Sequence, residues 1–255
     1  MLTADSPLVA ALVASPNFGP RNRGLGPTIL LLHYTGLKTA AKAIEVLSRV
    51  DCKVSCHYVV DEAGRITQMV AERDRAWHAG VASWAGETDI NSASIGIEIH
   101  NPGHVLGYAD FPPQQMAAVR DLSLDIIARH AIRPERVLGH SDVAPTRKID
   151  PGEKFDWAWL AHAGVGHWVE PMPPGPGGET YAQGDRGPQV AAVQAMLRAY
   201  GYGLEASGEF DELTGFVVTA FQRHFRPARV DGCIDRSTVI TLERLIEALP
   251  SAPGP

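Results

Sequence analysis

Cysteine is scarce in this chain of 255 residues, which holds only Cys52, Cys56 and Cys233. An odd and small number excludes a disulfide framework, and the three are expected to be small apolar fillers, while whether Cys52 and Cys56 pair is left open by the sequence. Excess positive charge is also lacking. Lys and Arg number 23 against 29 Asp and Glu, a net charge of -6, so the basic footprint of a nucleic-acid binder is missing and no nucleic-acid partner is expected. Near the N-terminus the apolar stretch Pro7 to Ala14 has no Lys or Arg before it and is too short to span a bilayer. It reads neither as a secretory signal nor as a membrane anchor, and the expected location is the cytoplasm. What remains is ordinary for a globular protein of one large or two smaller domains, with 45% hydrophobic and 20% charged residues.

Turn-rich Ser15 to Arg21 reads as a loop closing an N-terminal segment, residues 1–22. The apolar run Thr28 to Leu32 reads as a buried strand that ends at His33, and Thr39 to Arg49 has helical spacing. Val54 to Val60 alternates as a strand, and Asp61 to Gly64 turns it back into Arg65 to Val70 as a hairpin. Gly80 to Ser92 is irregular. Ser94 to His100 places Ile95, Ile97 and Ile99 on one strand face and Gly96, Glu98 and His100 on the other. Pro112 to His130 reads as a long helix over the sheet, and Val137-Leu138 as a short strand delivering His140. The class is α/β (α+β), a mixed central sheet with covering helices over residues 23–168. Four prolines and three glycines in Pro171 to Gly178 mark a linker, residues 169–183. Residues 184–250 then read as three short helices with starts at Gly187-Pro188 and Asp211-Glu212. Their apolar stripes are Val190, Val193, Leu197 and Tyr200; Val217, Phe221 and Phe225; and Val239, Leu242, Ile246 and Leu249.

Chemistry concentrates in Gly139 to Gly152. An imidazole (His140), an ammonium (Lys148) and a carboxylate (Asp150) lie within eleven residues, on a segment that Pro145, Pro151 and Gly152 keep from being a helix. His140 and Asp150 are too far apart for one helix face. A shared metal requires the segment to fold back and a third ligand from elsewhere, for which His33, fixed at a strand end, is the best candidate. A lone His in such a place is more often a satisfied rim residue; the combination is what argues for a metal.

Five ordered segments resemble one family: Leu32 to Thr35, Val54 to Val60, Arg75 to Gly80, Ser94 to Ile99, and Gly139 to Trp157. They are similar to the zinc-dependent N-acetylmuramoyl-L-alanine amidases of AmpD/AmiD type, relatives of phage amidases and peptidoglycan recognition proteins, over roughly residues 15 to 160. The resemblance implies one Zn2+ held by His33, His140 and Asp150, with Asp150 where some phage relatives have Cys. It also implies Glu98 as the group that orients or deprotonates the reactive water, Lys148 as the oxyanion stabiliser, and Tyr34, Trp77, His78 and Ala79 along the substrate cleft. His57 and His78 lie in matched segments; His100, His104, His130, His162, His167 and His224 are expected to be surface or packing residues.

A second resemblance, to the three-helix peptidoglycan-binding domain found beside cell-wall hydrolases, rests on Gly184 to Gly187, Gly208 to Asp211, Ala220 to Gln222 and Asp231 to Asp235. The implied activity is hydrolysis of the bond between N-acetylmuramic acid, in its ordinary or 1,6-anhydro form, and L-alanine, with peptidoglycan or soluble muropeptides as partner. A non-catalytic muropeptide-recognition protein is the alternative from another class, weakened because every ligand position and Glu98 are filled. The wall-binding resemblance points to the periplasm or cell envelope instead of the cytoplasm, so the two clues conflict. Oligomeric state is left open by the sequence.

Overall fold

The computed structural model describes residues 2–22 and 26–249. The chain runs through β1 (Ala11–Leu12), β2 (Phe18–Pro20), β3 (Ile29–Tyr34), α1 (Ala40–Leu47), β4 (Tyr58–Val60), β5 (Ile66–Gln68) and β6 (Asp74–Ala76). There follow α2 (Ile90–Ala93), β7 (Ser94–Ile99), α3 (Gly103–Leu106), α4 (Pro113–His130), β8 (Val137–Gly139), α5 (His140–Val143) and α6 (Trp157–His162). The last three helices are α7 (Pro188–Tyr200), α8 (Glu212–Phe225) and α9 (Arg236–Glu247).

Six strands form a mixed sheet in the order β1-β5-β4-β7-β3-β8, parallel except for the β4-β5 hairpin. Its central strands are buried on both faces, as the uninterrupted Ile29-Leu30-Leu31-Leu32 run requires. Leu30, Leu32, Ile95, Ile97 and Ile99 pack with Val119, Leu122 and Ile126 of α4, while Ile29, Leu31 and Leu138 belong to a cluster continuous with α7, α8 and α9. The sheet is thus covered by a long helix on one side and faces the C-terminal helices on the other. Among the described residues no helix is long and apolar enough to cross a membrane.

Three local readings change. Within the segment expected to be a loop, Phe18–Pro20 pairs antiparallel with β6, forming a two-stranded ribbon whose outward face is exposed; so short an edge tolerates a proline. Ladder pairing in Val54 to Val60 begins only at Tyr58, because Ser55 gives its N–H to Trp77 and its hydroxyl to Asn17, and Val54 is exposed. In α9 the buried face is Thr238, Thr241, Leu242 and Leu245, with Val239, Ile246 and Leu249 only partly covered. Buried threonines look polar to a pattern of apolar spacing, yet here their hydroxyls are satisfied by Asp235 and the Ser237 carbonyl.

The Pro/Gly-rich stretch is laid along α9. Thr241 Oγ1 accepts from Met172 N–H, Ser237 donates to the Met172 carbonyl, and Arg244 donates to the Glu170 carbonyl.

Candidate metal centre

The C-terminal ends of three parallel strands assemble the site. β3 carries His33, β7 carries Glu98, and β8 ends at Gly139 and hands His140 to α5. His33 and Glu98 are register partners, so their side chains leave the same face of the sheet. The segment after β8 was expected to avoid helix, but His140–Val143 makes a single turn. Its N-terminus is capped from within: Asp142 Oδ2 accepts the Gly139 N–H at 2.7 Å. Beyond α5 the chain folds back, and Ser141 N–H donates to the Asp150 carbonyl at 2.9 Å. That bond sets the Asp150 carboxylate beside His140.

His33 Nδ1, His140 Nδ1 and Asp150 Oδ2 close a triangle with sides of 2.8, 3.0 and 3.3 Å, and all three residues are buried. The protonation of both imidazoles follows from their outer partners. Ser94 Oγ donates to the Ile90 carbonyl at 2.5 Å, so at 3.3 Å it accepts from His78 Nε2. His78 Nδ1 is then an acceptor, and His33 Nε2 donates to it at 2.9 Å. On the other ligand, His140 Nε2 donates to the Ala79 carbonyl at 3.0 Å. Both Nδ1 atoms are left with lone pairs aimed at a carboxylate oxygen. Three acceptors with no hydrogen between them repel one another unless a cation lies among them. Ligand atoms of a tetrahedral ion with bonds of about 2.0–2.2 Å lie roughly 3.3 Å apart, so the triangle fits such an ion with slight contraction. The residues present therefore suit a metal. Burial, and then the neighbouring His140, lower the His33 pKa to about 4, which keeps this ring neutral at ordinary pH.

Glu98 presents Oε2 to the same region, buried and without a hydrogen bond among the described groups. Burial first, and the Asp150 charge second, push its carboxyl well above the usual range, while Lys148 pulls it down. Lys148 itself is partly buried. Trp77, His78 and Glu98 line a cavity of about 150 Å³ with Thr35 and Leu37.

The remaining expectations divide. His78 stands behind His33 as its hydrogen-bond partner, its ring packed where a Cβ on Gly96 would come within 2.5 Å; only glycine leaves that room. Ala79, expected along the cleft, is fully buried, and its carbonyl is taken by His140 and Arg147. This corrects the expectation of substrate contact by its side chain, because the alanine belongs to the core. His57 is likewise buried, held between the Gly96 N–H, Arg21 and the Asp74 carbonyl. Tyr34 is partly buried and hydrogen-bonded to His104, which contacts Glu153 and stacks on Tyr108. Cys52, Cys56 and Cys233 are all free thiols.

Sequence reasoning missed Asp142. Its spacing of three from Gly139 was the available signal, since that is where a carboxylate reaches back to a helix N-terminus. It also missed His104 and Glu153, for which no local pattern exists.

Comparison with known proteins decides the family. The pattern of the N-acetylmuramoyl-L-alanine amidase family matches residues 23–153, and that of a putative peptidoglycan binding domain matches residues 186–242. The N-acetylmuramoyl-L-alanine amidase AmiD of Escherichia coli K12 is 37% identical over 235 residues, covering 86% of this chain and 82% of AmiD. This chain belongs to the N-acetylmuramoyl-L-alanine amidase family. The fold of the amidase agrees with two solved complexes. E. coli AmiD with the substrate anhydro-N-acetylmuramic acid-L-Ala-D-gamma-Glu-L-Lys superposes with a TM-score of 0.73 at 34% identity, covering 92% of each chain. AmpDh3 of Pseudomonas aeruginosa with anhydromuramic pentapeptide superposes with a TM-score of 0.73 at 31% identity, covering 98% of this chain and all of that one.

Proposed function

We propose that this amidase is a zinc enzyme that hydrolyses the amide joining N-acetylmuramic acid, in its 1,6-anhydro form, to L-alanine, and so frees the stem peptide. The observation that carries the reading is the convergence of His33 Nδ1, His140 Nδ1 and Asp150 Oδ2 within 3.3 Å of one another, with the outer nitrogen of each ring engaged elsewhere, beside the unpartnered Glu98 Oε2. These three side chains would hold the ion. When bound there, zinc supplies a Lewis acid that makes water nucleophilic near neutral pH.

The chain's own groups do the rest. Glu98 accepts the proton of the attacking water and returns it to the departing nitrogen, and a carboxyl raised by burial is suited to both halves of that transfer. Lys148 faces the negative charge that develops on the carbonyl oxygen, a role its electrostatic coupling to Glu98 and His33 supports. Trp77 and Tyr34 border the substrate, Trp77 through the 150 Å³ cavity it shares with Glu98. That cavity has room for one small group, so most of a muropeptide would lie outside it.

The substrate form rests on the two related complexes, whose ligands are both anhydro-muramyl peptides. In this reading residues 23–168 carry catalysis, 169–183 connect, and 184–250 form the unit that meets wall polymer. The test is direct. Purified protein should carry about one zinc per chain and release stem peptide from a soluble anhydro-muropeptide faster than from intact sacculi. Full zinc occupancy in Asp150→Ala contradicts the ligand set; faster release from sacculi contradicts the substrate form.

A further inference from the structure

Helix α5 presents a physical problem. It is a single turn of four residues, too short to be stable by its own hydrogen bonds, yet it begins with His140. Its far end is held from the loop after β6, where Ser83 N–H donates to the Val143 carbonyl at 2.8 Å. Its near end is held by Asp142, and the hold on Asp142 comes from the C-terminal helices. Tyr202, just after α7, donates its hydroxyl to Asp142 Oδ1 at 2.8 Å. His224, in the last turn of α8, donates from Nδ1 to Asp142 Oδ2 at 2.7 Å, the oxygen that also caps Gly139. The carboxylate is out of contact with solvent. The His224 ring is fixed as well, stacked 3.7 Å from Trp157 at an interplanar angle of 20°.

The arrangement is more than cement between two packed parts. A buried carboxylate is tolerated where donors surround it, and here one donor is the backbone of the metal-site turn, one comes from the segment just after α7 and one from α8. The three donors meet on one side chain, so the position of the C-terminal helices is transmitted to the N-terminus of α5. The first residue of that turn presents Nδ1 to the metal triangle. Elsewhere the interface combines close packing, such as Gly201 against Trp84, where a Cβ would approach within 2.5 Å, with bonds that do not involve Asp142, such as Ala85 N–H to the Gly201 carbonyl at 2.8 Å.

We propose that Tyr202 and His224 are positioning residues for the metal centre: by holding Asp142 they fix α5, and thereby the approach of His140, so that the metal affinity of the amidase site is set in part by the three-helix unit. The inference rests on the reading of His140 as a ligand. It assigns the C-terminal unit a second task, separate from any contact it makes with wall polymer.

The test uses the full chain and zinc affinity, measured by competition with a chromophoric chelator, alongside thermal unfolding of the metal-free forms. His224→Ala should weaken zinc binding by about tenfold, the low end of what outer partners of a metal site contribute, and Tyr202→Phe by a few fold. His224→Asn, whose amide nitrogen can stand where Nδ1 stood, should recover most of the affinity. Tyr200→Phe serves as the control: its hydroxyl lies near Asp142 but bonds His167 at 2.8 Å in the same interface and is not among the donors that hold that carboxylate, so it should lower the unfolding temperature and leave zinc affinity intact. The inference is overturned if His224→Ala unfolds earlier but binds zinc within twofold of the unaltered chain, or if the Asn variant binds as weakly as the Ala variant. Should His224→Ala fail to fold, Tyr202→Phe decides, and unchanged affinity there overturns the inference. Failure of the underlying reading looks different: zinc binding by the unaltered chain would be absent, or would survive Asp150→Ala.

Discussion

The two halves of the metal centre are built in different ways. His33 and Glu98 sit opposite each other in a parallel ladder, six paired positions long, between two strands in the interior of the sheet. His140, Lys148 and Asp150 sit on a turn and a loop whose shape depends on scattered bonds: Ser141 to Asp150, Gly139 to Asp142, and Asp142 to Tyr202 and His224. A strand places a side chain through the regular spacing of a ladder. A loop places it through particular bonds, some local and some, like those from Tyr202 and His224, far away in sequence. The strand half thus follows from regular pairing, and the loop half from individual side-chain and backbone bonds.

That contrast can be broken from either side, beginning with the largest effects. Glu98→Gln should keep stoichiometric zinc while turnover falls by about 10³-fold, within the range for loss of a general base, because the ladder holds the glutamine in place; metal analysis and initial rates check it. Asp150→Ala should instead lose the metal itself, and activity with it, since the loop half loses its only anionic ligand. Lys148→Ala should lower turnover by about 100-fold, or ~3 kcal/mol, with little change in substrate binding. A defect confined to KM would remove the lysine from the oxyanion role.

A smaller effect tests the strand side. Ser94→Ala frees His78 Nε2 from its acceptor, so the direction of the Ser94, His78, His33 chain is no longer imposed. Zinc affinity should fall by about tenfold with the fold intact. The smallest concerns acid. Burial opposes ionisation of Glu72, but Arg129, His130 and Tyr58 together bring its carboxyl down to about 2, from an ordinary value of 4.5. A depressed carboxyl contributes stability that is complete above pH 4.5 and disappears as the pH falls toward 2. Tyr58 lies on β4, beside β7, so acid should loosen this flank of the sheet. Replacing Glu72 with Gln should flatten the denaturation midpoint across that interval, as urea titrations would detect.

Much of the strand half was legible in the chain alone. Alternation in Ser94 to His100 separated Glu98 from the three isoleucines, and the apolar run before His33 marked its strand, because a period of two is local information. The fold-back of Asp150 onto His140 was inferred as a requirement of shared ligation, yet the helical turn between them was not, since Pro145 and Pro151 advertised irregular chain. The outer partners were the least legible. His224 looked like one more packing histidine, as did His104, because the significance of each lies in what it meets across 82 and 70 residues. Threonines on α9 misled in the opposite sense: a hydroxyl that finds its acceptor inside the same helix disappears from the polar face.

The burial of Asp142 also limits how such a protein can be rearranged. A tethered module held by apolar packing alone can be exchanged for any other that covers the same area. Here an exchange that omits a tyrosine and a histidine at these two points would strand a negative charge in the interior, next to the turn that begins with His140. Recombination that treats the last seventy residues as an interchangeable attachment should therefore yield chains that need a compensating change at Asp142, with Asn or Ser the first substitutions to seek.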